Sequence, residues 1–418
     1  MRVLHLSQAD NFGGAAIATY RLHAALRSEQ IDSHMLVQEE IGSGDDQVHT
    51  FTSKQERAIA KLRPSIDKIP LIPYRQRQKT PFSCDWFPSQ IPREISKHQP
   101  DILNLHWIGG GYLRIESLTG LKYPQAWTLH DMWAFTGGCH YNGECEGYPS
   151  SCGQCLQLGS SHQWDLSRWI WHRKAKTYLQ LPLTVVCPSQ WLAQCAKNSS
   201  LLNSFDIRVI PNAIDCQKYR PIERYLARQL LNLPTDKRFI LFGAMSATSD
   251  NRKGFHLLQP ALQRLREEAL VNQTELLIFG ASKPAVPPDL GLPTRYLGRL
   301  YDDLSLALTY NASDVFIAPS MQDNLPNTVL EAIACGIPCV AFNIGGLPDM
   351  IDHKVNGYLA APFSPAELAD GIAWVLQDNN RYQTLSKNAR IKAEKKFTLE
   401  KQALAYRTLY EGILERSV

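Results

Sequence analysis

The feature that most constrains this chain is the alternation of short, continuously apolar or β-branched runs with longer stretches of helical period. In the first half the runs are Arg2–Leu6, His34–Gln38, Asp101–His106, Ala126–Leu129 and Thr184–Cys187. In the second they are Arg208–Ile210, Phe239–Phe242, Leu276–Phe279, Asp314–Ala318 and Cys339–Phe342. A strand that is apolar along its whole length is covered on both faces, and helices between such strands make the sheets parallel. Two series of this kind predict an α/β protein of two doubly wound, Rossmann-like domains. The length of 418 residues agrees, being too great for one ordinary core. The polar stretch Ser199–Asp206 follows the helical stretch Ser189–Ala196 and marks the boundary. Residues 1–203 are then the first domain and 204–396 the second, with an amphipathic helix over about 397–418 packing back on the first. Such sheets bind ligands outside the carboxyl ends of their strands, so two facing sheets predict one ligand in an interdomain cleft.

Composition narrows the function. With 44% hydrophobic and 20% charged residues the chain has the balance of a globular protein. It contains no run near the roughly 18 apolar residues of a membrane span. Met1–Ser7 carries one charge and a very short apolar run, so it reads as a first strand and not as a secretion signal, which predicts a cytoplasmic chain. The net charge of +4 does not point to nucleic acid as a partner. The charge is nevertheless uneven. Lys54–Lys79 holds eight Lys or Arg against Glu56 and Asp67, and Arg168–Lys176 interleaves cations with Trp169 and Trp171. Both stretches read either as solvated helix faces or as contacts to the anionic inner face of a membrane.

The most informative run is PSMQDNLPNTVLEAIACGIPCVAF, Pro319–Phe342. A strand ends at Ala318, and a polar loop with Pro326 follows. Asn327 is placed to cap a helix over Thr328–Cys335, which Gly336 and Pro338 stop. The loop therefore delivers free backbone N–H groups at a helix N-terminus, a site for phosphate. Asp323 and Glu331, with seven residues between them, sit on the loop and about one turn into the helix. Carboxylates beside a diphosphate accept hydrogen bonds from sugar hydroxyls. From spacing alone the same residues also read as ordinary caps of a βα unit.

This run resembles the carboxylate-x7-carboxylate signature of the retaining glycosyltransferases of family 4, which have the GT-B fold. The resemblance extends along nearly the whole chain: the N-terminal strand with its Gly13-Gly14 loop, the strand ending in His130-Asp131, VIPNAID (Val209–Asp215), RKGFHLL (Arg252–Leu258), YLGRL (Tyr296–Leu300), and GGLPDMI after Phe342. It implies that Glu331 holds the nucleotide ribose, that Asp323 contacts the transferred sugar, and that Asn324, Leu325, Pro326 and Asn327 meet sugar and phosphates. Asp323 stands where the family usually has Glu, one methylene or about 1.5 Å longer. Gly13 and Gly14, otherwise a tight turn, would border the diphosphate and acceptor, and Asn212 would lie at the start of the second domain near the cleft. Lys253 would neutralise charge on the departing diphosphate. The family shares that task with an Arg soon after the preceding strand; here Gly243-Ala244 occupies that place and Arg252 is the candidate substitute. His130, otherwise a hydrogen-bonded core residue, would face the reacting sugar.

The resemblance thus implies retaining transfer from a UDP- or GDP-type nucleotide sugar to a glycan or lipid-linked acceptor, as in surface polysaccharide or glycolipid synthesis, with no cofactor required for catalysis. The alternatives are a nucleotide-sugar epimerase, a glycan phosphorylase, or a non-catalytic binder of nucleotide sugar on the same fold. The chain has no G-x-G-x-x-G, which argues against a nicotinamide dehydrogenase.

Of ten cysteines, Cys187, Cys335 and Cys339 lie in apolar runs and read as core thiols. Cys139, Cys145, Cys152 and Cys155 cluster in CHYNGECEGYPSSCGQC, ending in C-x2-C. Four thiolates suit a closed structural zinc site, with His140 as a substitute ligand; unliganded thiols and disulfides remain open readings.

Overall fold

The apolar runs become the inner strands of two parallel sheets. The computed structural model describes the chain apart from residues 52, 246, 266–272 and 417–418. The chain divides into two compact units, Met1–Pro211 with Gln402–Val418, and Asn212–Lys401.

The first unit contains β1 (Arg2–Ala9), β2 (Asp32–Glu39), β3 (Val48–His49), β4 (Ile102–Leu105), β5 (Gln125–Thr128), β6 (Leu183–Cys187) and β7 (Asp206–Val209). They pair in the order β3-β2-β1-β4-β5-β6-β7, every pair parallel. The strand expected at Arg208–Ile210 is β7. It pairs with β6, Val186 opposite Arg208, so it belongs to the first sheet and not to the second half. The boundary accordingly falls at Pro211 rather than in the polar stretch before the strand.

Among the buried polar side chains of this sheet, Asn104 and Thr128 are explained by the final helix. Asn104 on β4 donates from Nδ2 to Tyr410 Oη at 2.7 Å, and Thr128 on β5 lies 2.9 Å from Tyr406 Oη and donates to Asn104 Oδ1 at 3.0 Å. All four side chains are buried, and the covering helix Leu399–Glu415 supplies the two phenols that complete this network. The last two residues of the helix expected to 418 lie outside the described residues.

The second unit contains β8 (Arg238–Gly243), β9 (Thr274–Phe279), β10 (Thr294–Gly298), β11 (Val315–Ala318), β12 (Cys339–Phe342) and β13 (Gly357–Ala360). Their order is β10-β9-β8-β11-β12-β13, again all parallel. Strands β8, β9, β11 and β12 are buried almost throughout, as continuous apolar runs require. β3, β10 and β13, which the apolar runs did not reveal, are all outermost, and β10 is only partly buried. Edge strands need no long apolar run. Cys187, Cys335 and Cys339 are buried in the two cores.

The two basic stretches differ. Within Lys54–Lys79 most cations are exposed, although Arg63 turns inward and donates to the carbonyls of Phe87, Pro88 and Gly111. Arg168–Lys176 is largely structural and not a charged face. Lys174 is fully buried, Arg173 pairs with Glu116 at 2.6 Å, and Arg168 donates to Ser151. Among the described residues no helix is long and apolar enough to cross a membrane.

Candidate active site

In each sheet the strand order reverses at one place, between β1 and β4 in the first and between β8 and β11 in the second. Loops leaving the carboxyl ends of such neighbouring strands part and leave a crevice. Of the residues singled out from sequence, Gly13 and Gly14 follow β1, Arg252 and Lys253 follow β8 and residues 323–331 follow β11, whereas His130 follows β5 and Asn212 follows β7.

In the second unit, β8 leads to a one-turn helix, Asn251–Lys253, capped by Asp250, which also pairs with Arg252 at 2.7 Å. Gly254 follows at φ 70°, and a Cβ there would stand 1.8 Å from the carbonyl oxygen of Pro319. Glycine is therefore required where the loop after β8 presses on the loop after β11, and the Met321 N–H bond to Arg252 O at 2.7 Å fastens the same contact. This brings Lys253 Nζ to 2.6 Å from Asp323 Oδ2. Ser320 Oγ also reaches that carboxylate at 3.3 Å, and Gly346 N–H holds the Asp323 carbonyl. Burial alone would raise the Asp323 pKa; the Lys253 and Arg252 charges and the hydrogen bonds overcome it and hold the carboxyl below its usual range.

Asn324 and Leu325 are buried beyond Asp323. The helix spans Asn327–Ala334 and its N-cap is Pro326, so Asn327 is its first residue and not its cap. Pro326 makes no side-chain capping bond at this end, which carries the positive end of the helix dipole. The far end closes through the Ile337 N–H bond to Ala332 O. Glu331 is the one charged residue in the buried run Val329–Ala334, and the phenol of Tyr310 donates to its Oε2 at 2.9 Å. Tyr310, itself fully buried, was not singled out from sequence, where a Tyr among Leu and Ala of a helix looks like core. Asn212, the first residue of this unit, is buried.

In the first unit, β1 runs into the helix Gly14–Ser28, with Gly13 as N-cap at φ 97° and no capping side chain. Asp10 ties down the loop before it, accepting from the N–H groups of Ile41, Gly42 and Ser43. His130 follows β5 and belongs to a row of imidazoles. His130 Nε2 lies 3.0 Å from His106 Nδ1, and His106 Nε2 lies 2.9 Å from His5 Nδ1. Burial lowers the pKa of all three, His130 to about 4 against the raising effect of Asp131. The row is thus neutral near pH 7, and each ring's proton position is coupled to its neighbour's. Asp131 accepts from Trp107 Nε1 at 2.8 Å and from Trp133 N–H at 2.8 Å, and pairs with His140 at 2.7 Å. His106 and His5 escaped the sequence reading, although His106 closes DILNLH as His130 closes AWTLH.

The zinc site expected at Cys139, Cys145, Cys152 and Cys155 is not present in ligand geometry: among the described residues no group of three or more His, Cys, Asp or Glu side chains could hold a metal as it stands. The four do line one small pocket, and all ten cysteines are free. His140 is committed instead to Asp131 and Ser83.

Comparison with known structures defines the class. The chain superposes over 100% of its length on 100% of sucrose-phosphate synthase from Thermosynechococcus elongatus, with a TM-score of 0.70 at 20% identity. It covers 99% of its own length and 100% of Anabaena Alr3699/HepE in complex with UDP and glucose, TM-score 0.67 at 17% identity. The architecture is therefore GT-B, with two Rossmann-like α/β domains. Sequence models then give the family. "Glycosyltransferase Family 4" matches residues 12–218 and "Glycosyl transferases group 1" matches 236–378. This chain belongs to glycosyltransferase family 4. Among curated relatives, a D-inositol 3-phosphate glycosyltransferase from Xylanimonas cellulosilytica is 30% identical over 225 residues, 50% of this chain and 52% of that protein. The chain spans about half or less of the length of the curated relatives it matches first.

Proposed function

We propose that the protein transfers a sugar, with retention of anomeric configuration, from a UDP- or GDP-type nucleotide sugar to a glycan or lipid-linked acceptor. The observation that carries this reading is the Lys253–Asp323 pair set beside a helix N-terminus whose first turns hold the buried Glu331. The diphosphate would take the N–H groups of the helix start and Lys253, and Glu331 would accept from the ribose hydroxyls. Donor binding exchanges partners: Lys253 leaves Asp323 for phosphate, and Asp323 turns to a sugar hydroxyl. The relation to HepE, whose structures hold UDP and UDP-glucose, supports the uridine form. In the transfer step the anomeric carbon–phosphate oxygen bond breaks and a bond to the acceptor oxygen forms on the same face. The acceptor's proton passes to the departing phosphate oxygen. The protein's part is positioning and charge stabilisation, by Lys253, Arg252, the helix end and a neutral His130. No divalent metal is required for that step.

The helix Lys54–Asp67 and the turn after it support an acceptor at the inner face of a membrane. Ile59, Leu62, Ile69 and Ile72 are exposed among exposed Lys54, Arg57, Lys61, Lys68 and Arg75.

Thermal unfolding with UDP-, GDP- and ADP-sugars tests the donor site. A ligand at a hundred times its Kd stabilises by about 2.7 kcal/mol. One nucleotide class should stabilise the wild type, and Glu331→Gln, which keeps an acceptor for Tyr310, should lose most of that gain. Transfer is then read as nucleotide diphosphate released with acceptor present, and retention as the product's anomeric configuration by NMR. Stabilisation by no nucleotide sugar would count against the reading.

A further inference from the structure

The segment after His130 carries a second construction that sugar transfer leaves unused. Cys139, Cys145, Cys152 and Cys155 line one pocket together with Thr136, Gly137 and Gly153. Cys139 is within electrostatic reach of the other three, Cys152 of Cys145 and Cys155, and Cys155 of Cys145. The fold gathers four cysteines from a seventeen-residue span around one pocket, although as they stand the four are not in ligand geometry.

Three of the sulfurs are also met by backbone donors. Gly147 N–H lies 3.4 Å from Cys145 Sγ, and backbone N–H groups of Gly137 and of Gln157 and Leu158 face Cys152 and Cys155. Metal-bound thiolates are commonly held by such N–H donors. The backbone is shaped to suit. Cys152, Gly153 and Gln154 are successive left-handed residues, at φ 50°, 103° and 48°, and a Cβ on Gly153 would stand 2.4 Å from Gln163 O. Two non-glycine residues in that region persist only where their surroundings hold them. Finally, the ammonium of Lys174 is fully buried on the carbonyls of Trp133 and Thr136, within electrostatic reach of Cys139 and Cys152. Four thiolates on a divalent ion leave two net negative charges, and this lysine opposes them.

We propose that Cys139, Cys145, Cys152 and Cys155 form a closed tetrathiolate site for one Zn2+, which fastens the segment behind His130 and Asp131. Four thiols give up their protons to solvent and four Zn–S bonds form, drawing the sulfurs to about 2.3 Å from the ion. Four protein ligands leave no open position, so the ion is structural. It fixes the chain at Cys139, next to His140, whose Nδ1 holds Asp131. The ion plays no part in the sugar chemistry, so this inference stands or falls apart from the proposed activity.

The test is elemental analysis of the full chain, purified without an affinity tag after growth with zinc. About one zinc per chain is expected, retained through gel filtration and released when a mercurial titrates the thiols. Cobalt should replace it and give the absorption of tetrahedral Co(II)-thiolate. Cys145→Ser should lower the zinc content, whereas Cys216→Ser, outside the cluster, should not. Should Cys145→Ser fail to fold, the cobalt spectrum of the wild type decides. A folded, metal-free chain whose cluster thiols react freely overturns the proposal, as does a mass showing disulfides among the four, or iron in place of zinc.

Discussion

Lys253 and Asp323 sit 2.6 Å apart with side chains 19% and 9% exposed, so each is the other's close counter-charge. Removing one leaves the other short of a partner in a partly dry site. Lys253→Ala should lower kcat about 10²–10³-fold, the usual effect of losing one donor to a developing negative charge. It should also destabilise the second unit by about 1–3 kcal/mol, because Asp323 loses its counter-charge while buried. The acid dependence has a definite sign. A carboxyl whose folded pKa is lowered contributes stability that is present above the unfolded value, about 3.9, and is lost as pH falls through the folded one. Lys253→Ala should therefore narrow the gap to wild type in urea titrations below about pH 3.9. A variant with unchanged kcat on a confirmed donor would remove Lys253 from the chemistry.

At the level of elements, the site depends on two loops pressed together at Gly254. Gly254 and Gly298 share a φ of 70°, but a Cβ at Gly254 meets Pro319 O at 1.8 Å whereas one at Gly298 meets nothing within 4 Å. Both alanine variants carry the left-handed penalty of about 1–2 kcal/mol. Gly254→Ala should cost more in urea unfolding and also lower kcat by moving Lys253, whereas Gly298→Ala should leave kcat unchanged. Equal costs and equal activities would show that the loop contact does not position the lysine. Much of this architecture was legible in the sequence, because a central parallel strand needs a continuous apolar run and a βα loop needs its breakers. Ten strands announce themselves this way, whereas β3, β10 and β13 do not. Asp323, Glu331 and Lys253 were legible by motif, and the structure joins Lys253 to Asp323 and seats Glu331 on Tyr310. The row His5–His106–His130 was not legible: its members are 101 and 24 residues apart, and only the sheet order β1-β4-β5 makes them neighbours. The same holds for Asn104 and Thr128, whose partners lie on a helix some 300 residues away.

For the whole molecule, the two units should respond differently to acid. His5, His23, His49, His98, His106 and His130 all lie in the first unit, and burial lowers each, with His23, His98 and His130 brought to about 4. A base whose folded pKa is lowered binds its proton more readily unfolded. Its contribution is whole above the unfolded value, about 6.5, and is lost as pH falls towards the folded value. Asp67 and Asp85 of the same unit act in the opposite sense, because burial raises them and protonation then favours the folded form. Six histidines against two carboxyls leave the net effect destabilising. Eight of the nine tryptophans, all but Trp374, lie in the first unit, so intrinsic fluorescence follows it almost alone. In moderate urea the fluorescence midpoint should begin to fall below about pH 6.5, before the circular dichroism held by the second unit is lost. Two transitions that separate as pH drops from about 6.5 to 4 are the expected result. One transition, seen alike by both probes and flat until the carboxylates titrate, would mean that the buried histidines are protonated at little cost or that the units unfold as one.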